Sequence, residues 1–283
     1  MVIEQSPLED ELGDVLEKAL CQADLTPEAL ARRADVAAER IRDAIDYRYD
    51  FSEAELDRLA GALGLNALGL RAVAGGRYPL PRIQGLPFCL HALRSPHGVG
   101  TANAYLVTDC RSGVGVLFDT GPDPVRLRRM WPAGVTQVAA VFLTHVETEH
   151  VGGLAEVRRQ FGAVPVFGPV GAKLAGCTGL ADGARMESAG YQVETLATPG
   201  HAEAHNAYVV RAPGAAGQAT PLLVGGDLIF AGSVGGGYFC CRRLRAQVAR
   251  VFEQLPPDTV LAPGHGPLTT LGHERAHNPF APG

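Results

Sequence analysis

An apolar run from Gln137 to Leu143 opens directly into Thr144-His145-Val146-Glu147-Thr148-Glu149-His150-Val151-Gly152-Gly153. In an extended segment His145 and Glu147 project to one side, and a turn then brings Glu149 and His150 alongside them. Such a cluster of ligand-type side chains at the end of a strand reads as a preformed metal site. Three later segments repeat the pattern of an apolar run, glycine and one polar ligand. They are Thr198-Pro199-Gly200-His201, Leu222-Leu223-Val224-Gly225-Gly226-Asp227 and Leu261-Ala262-Pro263-Gly264-His265. Their glycines permit the close turns that aim His201, Asp227 and His265 into one cleft.

The 283 residues are enough for about two domains with large cores. No apolar stretch is long enough for a membrane span, and the acidic start from Met1 to Asp14 lacks the basic region of a secretory signal. Six cysteines without any C-x-x-C spacing read as reduced thiols in a cytoplasm. The 35 glycines, without low complexity, suggest many tight functional loops.

Residues 1–75 read as wholly helical. Leu12, Val15, Leu16 and Leu20 fall at helical spacing, and Thr26-Pro27-Glu28 caps and opens a second helix ending at Ala34. A third covers Val36 to Ile45. Ser52 to Glu55 is a capping box for a fourth ending near Leu63-Gly64, and Asn66 to Val73 adds a short fifth. This pattern resembles the helix-turn-helix domain of the lambda-repressor type, with Leu25 to Ala31 as its first helix and Ala37 to Ile45 in the recognition position. Charge counts against DNA as a partner. The segment holds 8 Lys+Arg and 16 Asp+Glu, or −8, while the remainder of the chain carries +3. The preferred expectation is a helical module for dimerisation, giving a homodimer, or for covering the site.

Residues 76–87 are a linker by composition, and residues 88–283 alternate short strands with helices. Helices are expected at Pro124 to Met130, Gly153 to Phe161, Val170 to Leu174 and Leu244 to Glu253. Loops at Thr178 to Ser188 and Gly232 to Arg243 are expected to set selectivity. Asp119-Thr120-Gly121 follows a strand as a further tight turn.

With His145, His150, His201, Asp227 and His265 in this order, residues 86–283 resemble the metallo-β-lactamase superfamily. The resemblance implies an αββα sandwich of α/β class, here preceded by the small all-α domain, with a two-metal site between its sheets. Within that family the stretches Gly226 to Ser233 and Pro263 to Thr270, followed by Glu274 and Asn278-Pro279-Phe280, are similar to the glyoxalase II-like (hydroxyacylglutathione hydrolase-like) branch. Gly235-Gly236-Gly237-Tyr238 stands where many of that branch carry Gly-Arg. By the resemblance, His145, Glu147 and His201 hold one divalent ion and Glu149, His150 and His265 the other, with Asp227 bridging. Glu149 and Asp227 are the candidates to hold or receive the proton of an activated water, and Asp119 supports the site by hydrogen bonds.

The family's H-x-H-x-D-H motif is altered here at two positions, Glu147 and Glu149. A carboxylate in place of an imidazole hardens the first metal position and favours iron or manganese over zinc. The H-x-E pattern is similar to the diiron site of flavodiiron proteins, whose flavodoxin domain has no room in this chain. His205 is a candidate beside the metals or the substrate, and Tyr238 a candidate substrate contact. His91, His97, His273 and His277 lack ligand spacing. The leading expectation is a hydrolase of a small thioester, ester or lactone. Its alternatives are a non-haem iron oxidoreductase and a non-catalytic metal- or ligand-sensing regulator.

Overall fold

The structure, a computed structural model, describes residues 6–212 and 219–281. Its first part is five short helices, α1 (Leu12–Ala23), α2 (Pro27–Ala34), α3 (Ala38–Ile45), α4 (Glu53–Leu63) and α5 (Ala67–Ala74). The caps that mark them in the sequence are made. Thr26 Oγ1 accepts from Ala29 N at 3.2 Å, Ser52 and Glu55 form the reciprocal box, and Asn66 accepts from Gly69 N. Val15, Leu16, Leu30, Ile41, Leu59 and Leu70 close their shared core. The arginines at the recognition position are already committed. Arg40 pairs with Glu55 at 2.6 Å and lies over the Tyr49 ring, while Arg42 pairs with Glu28.

Two six-stranded sheets follow. The first runs in the order β1 (Cys89–His97), β2 (Gly100–Thr108), β3 (Val114–Phe118), β4 (Gln137–Phe142), β5 (Val166–Pro169), β6 (Cys177–Leu180). Packed against it are α6 (Pro124–Met130), α7 (Thr148–Val151) and α8 (Leu154–Phe161). The second sheet holds β7 (Arg185–Ser188), β8 (Tyr191–Ala197), β9 (Asn206–Arg211), β10 (Leu222–Gly226), β13 (Val260–Pro263) and β14 (Thr269–Thr270). A two-stranded ribbon, β11 (Ile229–Phe230) and β12 (Ser233–Val234), leaves β10 before α9 (Cys241–Gln254), and α10 (Leu271–His277) follows β14.

Near-continuous apolar runs in the central strands let each sheet bury both faces. Tyr105, Phe118, Phe142, Tyr208 and Val224 meet between the sheets. Leu127, Val141 and Val157 pack α6 and α8 on the outside of the first sheet, and Val209, Leu223, Val248 and Phe252 pack α9 on the outside of the second. The result is the expected αββα order.

The helical part is docked rather than tethered. Asn66 donates to the carbonyls of Pro279 and Ala276, and a Cβ on Gly69 would stand 2.0 Å from the His277 oxygen, so α5 lies against the chain end without space between. Glu274 in α10 gathers the Thr269 and Tyr78 hydroxyls, Gly232 N and the Asn278 amide, tying the 76–87 segment to the loop after Asp227.

Several expectations are corrected. The thiols are not uniformly reduced: Cys21–Cys241 and Cys89–Cys110 are disulfides, and only Cys177 and Cys240 are free among the described residues. Pairing depends on which residues the fold brings together, and spacing carries no such information. Val170 to Leu174 is a turn without a helix, because Gly171 sits at φ +87°, where a right-handed helix cannot continue. Thr178 to Ser188 is largely the edge strands β6 and β7, away from the cleft. Among the described residues no helix is long and apolar enough to cross a membrane.

Candidate metal centre

The ligand-type residues sit on segments that leave strand ends, with Glu149 and His150 on the short helix α7 after β4. Asp119, at the end of β3 and with φ +54°, sets up the first of them. Its Oδ1 accepts Thr144 N at 2.8 Å, and its Oδ2 accepts the Thr144 hydroxyl at 2.8 Å and His150 Nδ1–H at 3.0 Å. Since the Thr144 proton is spent on Asp119, its oxygen accepts from His145 Nδ1–H at 3.0 Å. His201 Nδ1–H donates to Gly236 O, and His265 Nδ1–H to Thr101 O, both at 3.0 Å. Four imidazoles thus spend Nδ1 on a neighbour and leave Nε2 facing inward, as metal-ligating histidines do.

The inward atoms converge. His145, His150 and Asp227 offer ligand atoms within 4.8 Å of one another, and so do His145, Glu147 and His201. Asp227 lies centrally, with Oδ1 3.5 Å from His150 Nε2 and Oδ2 3.5 Å from His201 Nε2 and 3.2 Å from His265 Nε2. The Nε2 atoms of His145, His150 and His201 and Asp227 Oδ1 are buried without a hydrogen bond. Orphaned acceptors at this density are costly in a fold unless a ligand completes them, so the residues fit a bound divalent metal.

Electrostatics agree. Burial works to raise Asp227, yet the imidazoles of His265 and His150 hold it well below the usual carboxylate range. Burial works to lower His265, but the Asp227 carboxylate beside it raises it to about 9. His145, buried next to His150, is held well below its ordinary value and stays neutral. Gly264 permits the crowding, since a Cβ there would lie 2.1 Å from Asp227 Oδ1.

Glu149 stands elsewhere than the resemblance implied. Glu149 is outside both donor groups, and its carboxylate lies 3.5 Å from His97 Nε2. Neighbouring residues on α7 are about 100° apart around the axis, so His150 facing inward turns Glu149 toward the cleft wall. His205 does not reach the cleft. It is buried behind Asp227, where Nε2 accepts Asp227 N–H at 3.1 Å and Nδ1 lies 2.7 Å from the Thr198 hydroxyl. Tyr238 does line the cleft, with its ring 5.3 Å from that of His201. His91, His273 and His277 do not line it.

The cleft has a volume of about 780 Å³, and one wall comes from the helical part, including Glu9, Asp10, Lys18 and Tyr47. Which residues of the helical part form this wall, and that His97 joins them, carried no signal in the sequence, because only tertiary docking brings them to the ligand-type residues.

The family model of the metallo-beta-lactamase superfamily matches residues 97–268, more than half of the chain and every ligand position above. The chain belongs to the metallo-beta-lactamase superfamily. It is 31% identical over 133 residues to a hydroxyacylglutathione hydrolase of Edwardsiella ictaluri (strain 93-146), a match covering 44% of this chain and 47% of that protein. The chain therefore spans about half the length of this curated relative. Among solved structures, TTHA1623 in a di-iron-bound form is 31% identical, with a TM-score of 0.51 over 66% of this chain and 98% of that one. BLEG-1, titled a B3 metallo-beta-lactamase, is 25% identical, with a TM-score of 0.56 over 69% of this chain and 100% of that one.

Proposed function

We propose that the protein is a metal-dependent hydrolase acting on a thioester, ester or lactone. The observation that carries this reading is the four imidazoles that bind a neighbour through Nδ1 and turn Nε2 toward Asp227 in an open cleft. In this reading His145, Glu147 and His201 would hold one divalent ion, His150 and His265 the other, and Asp227 would serve both. Such ions would supply an acidified water and a Lewis acid for a carbonyl oxygen.

The residues around them have separate tasks. Asp119 and His205 fix the orientation of His150 and of the Asp227 backbone. Glu149, paired with the half-exposed His97 at the wall, is placed to receive a proton and pass it outward. Tyr238 offers an apolar face to the substrate. The likeness to a hydroxyacylglutathione hydrolase supports the thioester within the proposed class. DNA is not among the proposed partners, because the arginines of α3 are paired with carboxylates.

A second reading, an iron-dependent oxidoreductase, draws on Glu147 within a donor group and on the di-iron form of TTHA1623. A panel of thioesters, esters and lactones, assayed with metal-loaded and chelated protein, separates the two. Metal-dependent turnover of a panel member is expected. No turnover with any of them, together with oxygen uptake by iron-loaded protein, would replace the hydrolase with the oxidoreductase.

A further inference from the structure

The wall that the helical part contributes to the metal cleft is strongly acidic. Glu9, Asp10, Glu11, Asp14 and Glu17 line the cleft from the segment before α1 and from α1 itself. Lys18 is the only Lys or Arg among the described lining residues, and its charge is spent. It pairs with buried Asp10 and donates to Val234 O at 2.8 Å, while Asp10 also accepts the Ser233 hydroxyl. Glu9 is wedged against Gly100, with its Oε1 3.5 Å from His265 Nδ1. Glu17 is exposed and has no ion-pair partner among the described residues.

The same cleft holds His201 Nε2 and Asp227 Oδ1, both more than nine-tenths buried and without a hydrogen bond. It is therefore a ligand-receiving cavity, and the carboxylates form its approach rather than an ordinary solvated face. Flanking the mouth are Tyr47 and Tyr238, exposed by 62% and 82%, and fully exposed Val99. A cleft wall rich in one sign of charge concentrates the opposite sign, and tyrosine faces attract organic cations. Disulfide Cys21–Cys241 and the Asp10–Ser233 contact hold this wall to the loop that follows Asp227.

We propose that the N-terminal helices are the specificity wall of the metal cleft, and that the substrate carries an amine or quaternary ammonium group on the part that reaches the mouth. The proposal rests on the hydrolase reading and narrows it. It also sets this chain apart from its glutathione-thioester relatives, since glutathione carries two carboxylates and one amine and would meet a wall of its own sign.

The test compares two thioesters of one shape, acetylthiocholine and S-(3,3-dimethylbutyl) thioacetate, which exchange N⁺ for carbon, with S-lactoylglutathione as the anionic arm. On metal-loaded full-length protein the cationic ester is expected to exceed its neutral isostere about tenfold in kcat/KM. That ratio should fall toward one in Glu11→Gln/Glu17→Gln and at about 1 M salt, where charges are screened beyond a few ångströms. Equal kcat/KM for the pair, or a preference for the glutathione thioester, overturns the proposal while leaving the hydrolase standing. If none is hydrolysed, the hydrolase reading is what fails. Calorimetric binding of choline against 3,3-dimethylbutanol then decides the proposal: choline about tenfold tighter in the parent supports it, and equal affinities overturn it.

Discussion

His205 Nε2 accepts the backbone N–H of Asp227 at 3.1 Å. That nitrogen must carry a lone pair, so the proton sits on Nδ1 and is donated to the Thr198 hydroxyl at 2.7 Å. Burial pushes His205 down to about 3, which keeps it neutral throughout the working range. A side chain that touches no substrate thus fixes the peptide from which the central carboxylate hangs.

Replacing His205 by alanine should therefore loosen Asp227 without removing a ligand. Metal affinity is expected to fall about 10- to 100-fold, as for other groups that orient metal ligands. Chelator competition reads this directly, and His205→Gln, which keeps an acceptor, should recover part of the loss. Unchanged affinity in the alanine variant would show that the Asp227 peptide needs no such support.

Metal binding should depend on pH through His265. Its metal-free pKa is about 9, above its ordinary 6.5, and a bound metal needs neutral imidazole. Affinity is thus expected to rise with pH up to about 9, with proton release visible as buffer-dependent heats of binding. The sign for the metal-free fold is opposite. The charged His265–Asp227 pair stabilises it fully below about 6.5, and this contribution is lost as pH rises through about 9. A pH-independent affinity between 6 and 9 would contradict the assignment of His265.

Gly264 is constrained by close approach rather than by its backbone angle. A Cβ there would meet Asp227 Oδ1 at 2.1 Å and His150 Cε1 at 3.0 Å. Gly264→Ala should displace the central carboxylate and weaken metal binding at least about tenfold, with the far-UV circular dichroism retained. Wild-type affinity in this variant would place the metals away from Asp227.

The two disulfides close chain segments of very different length. Cys21 and Cys241 are 220 residues apart, and Cys89 and Cys110 only 21. In the chain-entropy account the longer loop is worth about 5 kcal/mol and the shorter about 3. Cys21→Ser is expected to lower Tm by roughly 5 °C or more and by more than Cys89→Ser does. A Tm insensitive to dithiothreitol would contradict both bonds.

What the sequence disclosed and what it concealed divide along physical lines. Helix ends were legible because Thr26, Ser52 and Asn66 act through bonds three residues away. The ligand-type residues His145, His150, His201, Asp227 and His265 were legible because each belongs to a segment that leaves the end of an apolar strand, and the fold gathers strand ends. Glu9, Asp10 and His97 were not, since their approach to the cleft depends on how the helical part docks. His205 was left open because an i+4 spacing from His201 does not distinguish a solvent-facing imidazole from one holding the Asp227 peptide. Edge strands β6 and β7 escaped because short, Gly- and Arg-bearing runs lack the alternation that marks a half-buried strand.

Glu147 and Asp227, with four inward-facing imidazoles, are proposed to hold a pair of metal ions. Elemental analysis of protein purified without added metal or chelator tests it most directly, with Glu147→His measured in parallel. About two ions per chain are expected in the parent, rich in iron or manganese, with a shift toward zinc once the carboxylate becomes an imidazole. A parent without metal beside a variant that binds it would mean that Glu147 breaks the site rather than shaping it, and would overturn its role as a ligand.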